Sequence, residues 1–238
     1  MARLAIYERS REWPEAARVA GLLGKSGEAN FDMRLAHYQC EQAREAVQQG
    51  DTIKATQLLN TAIQATPEAA RPRILLGQLQ LSQGQAAQAF ETLSVLFERA
   101  DVAAPLAAAS LAKAAQAAHL SETASQILKA HYDKQPCIDV LDAITTLTAD
   151  LAKEASHQRY LDHLNQHASL MAATRWLIDE NSATNPLPAP VQKALEQAIR
   201  PLARYRCAAC GFEAKEHFWH CPGCQAWDSY PPRRIEEL

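Results

Sequence analysis

Four cysteines near the C-terminal end of the chain stand in two Cys-x-x-Cys pairs, Cys207/Cys210 and Cys221/Cys224. One tight turn can direct two sulfurs three positions apart at a single ion, and Gly211 supplies the positive φ that such a turn needs. Ten residues separate the pairs, which is enough for a short hairpin and too few for a separate core. The spacing therefore predicts one tetrahedral metal ion held by four thiolates.

The four ligands alone do not identify the ion. Four sulfurs fill a structural site, so we do not expect His217 and His220, which flank the second pair, to be ligands. A disulfide or redox dithiol is disfavoured because no βαβ pattern surrounds Cys221 and Cys224 and a second cysteine pair lies nearby. A c-type haem is excluded because neither pair is followed by histidine.

Other candidate residues carry weaker signals. His163 and His167 are one helical turn apart, but no third ligand accompanies them in a known motif, so we predict surface histidines. Cys40 and Cys137 lie in apolar helical patterns and are predicted to be small buried residues. The sequence lacks a glycine-rich phosphate loop, a His-Glu-x-x-His motif and a Gly-x-Ser-x-Gly motif, and we predict that the protein is not an enzyme.

Composition excludes several partners. A formal net charge of -3 and a pI near 6.2 give no reason to expect nucleic acid or an anionic membrane surface. The segment 200–238 carries six Lys/Arg and five Asp/Glu, which argues against a nucleic-acid-binding zinc ribbon. The sequence contains no run of about 20 apolar residues, so it predicts no membrane-spanning helix. Its first residues lack a signal-peptide pattern. Cysteines in tight pairs indicate a metal site in a reducing compartment.

The elements that must position the cysteines are helical. Gly50 recurs as Gly84 and Ala55 recurs as Ala89, each shifted by 34 residues, which is the tetratricopeptide period. The glycines permit tight turns, while the alanines and Gly77 let paired helices approach closely. Each hairpin leaves an apolar face uncovered, so neighbouring hairpins must stack into a superhelix with a concave inner surface. Such a surface is suited to binding a peptide or protein segment.

The repeats are predicted to occupy residues 1–180, and the first unit is predicted to be truncated because the chain begins inside a repeat pattern. A third unit spans about 105–135, with its turn near His119 and its pattern displaced by 35 residues. Three prolines between 181 and 190 predict a linker, which continues as a short helix to residue 204. The metal-binding domain is predicted to occupy residues 205–238.

Together, the helical repeats and two C-terminal segments resemble lipopolysaccharide assembly protein B. The segments are Tyr205-Arg206-Cys207-x-x-Cys210-Gly211-Phe212 and Trp219-His220-Cys221-Pro222-x-Cys224-x-x-Trp227. The resemblance covers essentially the whole chain and is strongest over residues 205–230. It implies a mostly α fold, in which a tetratricopeptide-like superhelix of helical hairpins ends in a small rubredoxin-like metal knuckle with four cysteines. The implied ion is iron, although zinc fits the same ligands, and the sequence does not choose between them. Members of the family usually begin with a membrane-spanning helix and further repeats, so the sequence resembles their cytoplasmic part without the anchor.

The resemblance also implies a function. It suggests an adaptor at the cytoplasmic face of the bacterial inner membrane, which restrains lipopolysaccharide synthesis. The implied partners are a membrane-anchored ATP-dependent protease and the deacetylase of the lipid A pathway, which the protease degrades. The chain itself is expected to be soluble and able to form homo-oligomers. Two alternatives remain open: a rubredoxin-like electron-transfer protein, in which the iron changes oxidation state, and a generic protein-binding repeat scaffold.

Overall fold

The computed structural model describes residues 2–25, 31–148, 153–181 and 187–238 of the chain. Twelve α-helices lie in this described part, as the sequence predicts for most of its length. They are α1 (Ala2–Ser10), α2 (Trp13–Lys25), α3 (Asp32–Gln48), α4 (Thr52–Ala65), α5 (Ala70–Ser82), α6 (Ala86–Glu98), α7 (Ala108–Ala117), α8 (Ser121–Tyr132), α9 (Ile138–Thr148), α10 (Lys153–Gln166), α11 (Leu170–Asn181) and α12 (Ala189–Ile199).

The turns inside the helical hairpins repeat one hydrogen-bonding pattern. Gly50 has a φ of 81° and Gly84 a φ of 75°, and both follow the end of a helix, as predicted. After α3, the N–H of Asp51 donates to the carbonyl of Ala46 at 2.8 Å, which is the long bond of a Schellman motif. In the third repeat, the residue with the positive φ is His119, at 58°, between α7 and α8. A residue with a side chain therefore fills a position that favours glycine.

Contacts between α-carbons divide the chain into two compact units, one up to Val95 and one from Leu96. The core of the first unit lies among α3, α4 and α5. It contains the predicted buried Cys40 together with Ala55 and Leu59. Gly77 is required where α5 meets α6, since a Cβ there would lie 2.5 Å from Cγ of the fully buried Leu93. This close approach is the role predicted for the small residues of the repeat.

The second unit contains α7 to α12 and the cysteine segment. A 3₁₀ helix, Ala104–Ala107, precedes α7, and a second one, Ile235–Glu237, lies close to the C-terminus. The helical core of the unit joins α9, α10 and α11 through Ile138, Tyr160 and Met171, and Ile199 and Leu202 pack against it. Two short antiparallel strands, β1 (Tyr205–Arg206) and β2 (Glu213–Ala214), begin the cysteine segment.

The predicted mostly α fold with tetratricopeptide hairpins and a small C-terminal knuckle is confirmed. The predicted domain boundaries stay a prediction, and residues 182–186 of the proposed linker lie outside the described residues. The short helix after the linker ends at Ile199, just before Pro201. Among the described residues, no helix combines the length and the apolar character needed to span a membrane.

Candidate metal centre

The two Cys-x-x-Cys segments form turns of nearly the same geometry. In the first, the N–H of Gly211 donates to the carbonyl of Cys207 at 2.8 Å, and the N–H of Cys207 donates to the carbonyl of Phe212 at 2.9 Å. The second turn has the same two bonds at the same distances. The N–H of Gln225 donates to the carbonyl of Cys221, and the N–H of Cys221 donates to the carbonyl of Ala226. We call this pair of turns the knuckle, residues 205–230.

Backbone strain differs between the two halves of the knuckle. Gly211 has a φ of 77°, as predicted, whereas Gln225 has a φ of 62° at the equivalent position. A left-handed conformation costs a residue with a Cβ about 1–2 kcal/mol. The second turn therefore keeps its shape although its sequence is less suited to it.

The four sulfurs converge as predicted and lie within 4.8 Å of one another. Cys207 Sγ is 3.8 Å from Cys224 Sγ, and Cys210 Sγ is 3.7 Å from Cys221 Sγ. A tetrahedral ion with metal–sulfur bonds of about 2.3 Å requires sulfurs about 3.8 Å apart. The two cross-turn distances meet this requirement, and a shift of about 1 Å brings the widest pair to it. The four thiols therefore fit one tetrahedral ion.

Local hydrogen bonds favour the thiolate form at two of the four cysteines. Burial opposes ionisation of Cys207, but the nearby Ser229 hydroxyl and the backbone N–H groups of Cys210 and Ala209 lower its pKa to about 6. Burial likewise opposes ionisation of Cys221, and backbone N–H groups of its own turn outweigh it, so that its pKa is also lowered. N–H groups that face the sulfurs are expected for this type of turn, and they prepare the site for a cation.

Cys210 differs from these two ligands. The backbone N–H of Phe212 favours its thiolate, but desolvation and the neighbouring sulfurs act in the opposite direction and raise its pKa to about 12. A bound cation would reverse this balance, because a metal ion deprotonates a coordinating thiol outright. Local hydrogen bonds thus favour the thiolate at Cys207 and Cys221, whereas Cys210 would need a bound ion to become a thiolate.

Aromatic side chains form the small core beneath the sulfurs. Tyr205 and Tyr230 are buried beside Cys207 and Cys221, and Phe218 and Leu106 pack against this cluster. Leu106 belongs to the 3₁₀ helix before α7, so the knuckle both has its own core and packs on the helices of its unit.

The segment 231–238, which we call the tail, fastens the knuckle to α9. The Arg234 guanidinium forms a bidentate ion pair with the Asp139 carboxylate, with nitrogen–oxygen distances of 2.7 and 2.9 Å. It also lies 4.3 Å from the centroid of the Tyr205 ring and donates to the Ala203 carbonyl at 2.8 Å. Both charged side chains are about one fifth exposed, at 21% and 20%. The ion pair thus joins the tail, the first strand of the knuckle and the start of α9.

Two adjacent glutamates of the tail cap two different helices. The Glu237 carboxylate accepts from the N–H of Ile138, the first residue of α9, at 2.7 Å. The Glu236 carboxylate accepts from the N–H groups of Leu170 and Met171 at the start of α11. Carboxylates at helix N-termini satisfy free N–H groups and interact favourably with the helix dipole. We call Arg234, Glu236 and Glu237, with their partners on α9 and α11, the clamp.

No pattern in the sequence indicates the clamp. Its residues carry charges that are ordinary at a protein surface, and Asp139 and Arg234 are far apart in sequence. The acidic residues of the tail are a weak signal, because acidic side chains often cap helices. No local pattern, however, indicates which distant helices they cap.

Histidines of the knuckle and His163 of α10 take part in side-chain packing. His217 and His220 lie outside the sulfur cluster, as expected, and His220 stacks on Trp227 with ring centroids 4.3 Å apart. The prediction of surface histidines is wrong for His163, which is buried and hydrogen-bonded through Nδ1 to the Tyr132 hydroxyl. Tyr132, 31 residues away on α8, contacts this side chain, and the pattern of one helix does not reveal such a contact. His167 is exposed.

Comparisons with known proteins agree with both halves of this description. A model of the rubredoxin metal binding domain matches residues 205–232, and a tetratricopeptide repeat model matches residues 46–114. Lipopolysaccharide assembly protein B of Escherichia coli strain K12 is 26% identical over 97% of this chain. The protein of the same name from Haemophilus influenzae is 23% identical over 98% of the chain.

The chain resembles lipopolysaccharide assembly protein B. The resemblance inferred from the cysteine motif and the repeats is thereby confirmed. The chain spans about three fifths of the length of these relatives, 61% and 60% respectively. Among solved structures, a chain named MamA MSR-1 C2 superposes with a TM-score of 0.41 at 17% identity, covering 76% of this chain and 95% of that one.

A second candidate site lies among the helical repeats, in the compact unit that extends to Val95. An apolar groove of about 340 Å³ lies between α3 and α5. Val47, Leu75 and Leu79 line it, and Arg44 and Gln48 supply polar groups at its edge. Val47 is 44% exposed, so an apolar side chain of α3 is open to solvent at this groove.

Proposed function

We propose that this chain is a non-enzymatic, protein-binding adaptor in lipopolysaccharide assembly. In this proposal the helical repeats bind protein partners, and Cys207, Cys210, Cys221 and Cys224 hold one iron or zinc ion in the knuckle. The bound ion supplies no chemistry to a substrate, since four protein thiolates leave no open coordination position. It replaces the hydrophobic core that so short a segment lacks.

One observation carries the proposal: a tetratricopeptide array and a four-cysteine knuckle occur in one chain, and relatives named lipopolysaccharide assembly protein B match nearly its whole length. Stacked helical hairpins present extended surfaces that bind protein segments. The groove between α3 and α5 offers apolar side chains to such a segment, with polar groups at the edge to orient it.

We further propose the partners that the resemblance implies. The adaptor would act at the cytoplasmic face of the bacterial inner membrane, bringing the lipid A pathway deacetylase to a membrane-anchored ATP-dependent protease. Faster degradation of the deacetylase restrains lipopolysaccharide synthesis. Residues 1–180 would recruit the partner, the segment 181–204 would connect, and residues 205–238 would hold the last helices in place.

Reconstitution tests this function directly. Purified deacetylase is incubated with the protease and ATP, with and without the metal-loaded chain, and its half-life is followed on gels. We expect the chain to shorten the half-life and to bind the deacetylase or the protease in a direct binding assay. Unchanged degradation together with no binding to either protein would leave only the generic scaffold.

A matched pair of variants tests the groove. Val47→Lys places a charge in the apolar groove, whereas Ile53→Lys places the same charge on α4 at a residue that is 74% exposed and does not line the groove. We expect Val47→Lys to weaken partner binding at least tenfold and Ile53→Lys to leave it unchanged. Circular dichroism checks that both variants keep their helices. Equal binding by the two variants would place the partner site elsewhere.

The metal role is tested by replacing two ligands. The double variant Cys207→Ser/Cys210→Ser should lose the ion, and its thermal stability and partner binding should fall together. Undisturbed binding by the metal-free variant would refute the coupling between knuckle and repeats. Elemental analysis with visible absorption identifies the ion, because ferric tetrathiolate is coloured and zinc is silent. Reversible bleaching of such an iron centre would favour the electron-transfer alternative.

A further inference from the structure

The four cysteines of the knuckle differ sharply in their access to solvent. Cys207 and Cys221, the first residue of each pair, are 1% and 0% exposed. Cys210 and Cys224, the second residue of each pair, are both exposed. The cysteine cluster therefore has a buried edge, beside the aromatic core, and an open edge made of two exposed residues. We expect a small oxidant in solution to contact the open edge first.

We propose that Cys210 and Cys224 form an oxidation site, at which a hydroperoxide joins their sulfurs in a disulfide, expels the ion and loosens the clamp. This inference rests on the proposed structural role of the metal and adds a means of regulating it. The two sulfurs lie within the 4.8 Å that spans the whole cluster. A disulfide needs sulfurs about 2.05 Å apart, a distance that the short turns can close once the ion no longer separates them.

The chemistry balances with the hydroperoxide as the oxidant. One thiolate attacks the peroxide, so that a sulfur–oxygen bond forms, the oxygen–oxygen bond breaks and an alkoxide or hydroxide leaves. The second thiolate then attacks the sulfenic sulfur, forming the sulfur–sulfur bond and releasing hydroxide. Two protons from solvent complete the reaction. One converts the alkoxide or hydroxide of the first step to an alcohol or to water, and the other converts the hydroxide of the second step to water. Two sulfurs are each oxidised by one electron, and the peroxide is reduced by two.

Loss of these two sulfurs removes half of the ligands, and two thiolates do not retain a tetrahedral structural ion. The buried edge transmits the loss to the tail. Ser229 Oγ lies 3.2 Å from Cys207 Sγ, and the Tyr230 hydroxyl lies 4.0 Å from Cys221 Sγ. The two prolines at 231–232 follow directly and restrict the backbone between this core and Arg234.

The clamp is the part of the unit that such a change reaches. Arg234 holds Asp139, and Glu236 and Glu237 cap α11 and α9. Once the knuckle loses its ion, it no longer holds the tail in position, and these contacts with α9 and α11 weaken. The N-termini of both helices then lose their caps, and their first turns open more often to solvent.

The other two cysteines provide an internal control. Cys40 and Cys137 are buried, at 0% and 1% exposed. Because peroxide in solution does not contact a buried side chain, these two thiols remain reduced while the chain stays folded. Selective oxidation of the open edge therefore removes two of the six thiols of the chain.

The experiment uses the zinc-loaded chain and hydrogen peroxide. Zinc release is followed with a chromogenic chelator, remaining thiols are counted, and the disulfide is located by peptide mass spectrometry. Hydrogen exchange is measured over residues 138–148 and 170–181. We expect one zinc ion released per chain, two thiols lost, a Cys210–Cys224 disulfide, and faster exchange at the starts of α9 and α11. Dithiothreitol with added zinc should restore the original exchange rates.

A clamp variant separates the two steps of the proposal. Arg234→Met leaves all four cysteines in place, so it should release zinc to peroxide at the rate of the unmodified chain. Its α9 and α11 should already exchange faster before oxidation. Retained zinc, a disulfide between other cysteines, or zinc release without faster exchange in α9 and α11 would each overturn the proposal. Failure of the reduced, zinc-loaded chain to bind any partner would instead refute the proposed function, while these readouts stay measurable.

Discussion

Replacement of Arg234 by Met tests how the knuckle is held to the helices. Methionine keeps much of the length and apolar volume of arginine but removes its charge and its N–H donors. The variant loses the bidentate ion pair with Asp139, the hydrogen bond to the Ala203 carbonyl and the stacking over Tyr205. It also leaves the Asp139 carboxylate without its cation, although that side chain is only 20% exposed.

The size of the effect follows from these contacts. Removing one partner of a fully buried ion pair costs about 3–5 kcal/mol. Arg234 and Asp139 are one fifth exposed, so we take about 2 kcal/mol for the pair, and the cation–π contact adds about 0.5–1 kcal/mol. The free energy of unfolding of the second unit should therefore fall by about 3 kcal/mol, which is on the order of a 100-fold change in its equilibrium constant.

Arg206→Met is the matched control. Arg206 also pairs with a carboxylate of the knuckle, Glu213, at 3.0 Å, but the two side chains are 47% and 32% exposed. Solvent screens such a pair, and the loss should be no more than about 0.5 kcal/mol. Both zinc-loaded variants are unfolded in urea and followed by circular dichroism and tryptophan fluorescence, and the slopes are compared to confirm a common transition.

Equal stabilities of the two variants would show that the Arg234–Asp139 pair does not stabilise the second unit, because the two ion pairs differ mainly in burial and in their connection to α9. A loss below about 1 kcal/mol for Arg234→Met would show that the tail is not what fastens the knuckle. A double-mutant cycle with Asp139→Asn then assigns the energy to the pair itself, since a coupling near zero would place the effect in the Tyr205 contact.

Three further predictions concern packing, backbone strain and pH. Gly77→Ala should lower the free energy of unfolding by about 1–3 kcal/mol in urea, because its Cβ would lie 2.5 Å from Leu93, whereas Gly21→Ala, with no atom within 4 Å of its Cβ, should be neutral or stabilising. Gln225→Gly should raise the melting temperature of the zinc-loaded chain, through about 0.5–1 kcal/mol of relieved strain at a φ of 62°, and no gain would contradict this account. Burial lowers the pKa of His131, so the unfolded chain binds the proton more readily and stability should fall as pH drops below about 6.5. Thermal melts across that range should show a smaller loss for His131→Leu, and an identical loss would assign it to other groups.

Much of the candidate site could be predicted from the sequence because its determinants are local. A Cys-x-x-Cys-Gly segment needs only one turn to bring its two sulfurs together, and Gly211 adopts the positive φ that the spacing implied. The repeats were visible for a similar reason, since a 34-residue period places Gly50 and Gly84 at equivalent turns. The burial of Cys40 and Cys137 followed from the apolar patterns around them.

Features that depend on distant residues were not accessible in this way. His163 occupies a position that the pattern of its own helix leaves polar, yet in the folded chain it is buried and contacts Tyr132 of α8. Nothing in the cysteine motif indicates that the sulfurs differ in exposure, because the two members of each pair are chemically identical. Only the packing of one edge of the knuckle against Tyr205, Tyr230 and Leu106 makes them unequal.

The clustering of the four cysteines, the helical class and the repeat period could all be predicted from the amino-acid sequence, because each is set by residue types at short and regular spacings. What the metal site is attached to became visible only in the folded chain. Arg234 meets Asp139 across 95 positions, and Glu236 meets Leu170 across 66. Charged side chains at such separations have many equally plausible partners in the sequence. The packing of the tail on α9 and α11 selects among them, and it links a local metal site to the helices beyond it.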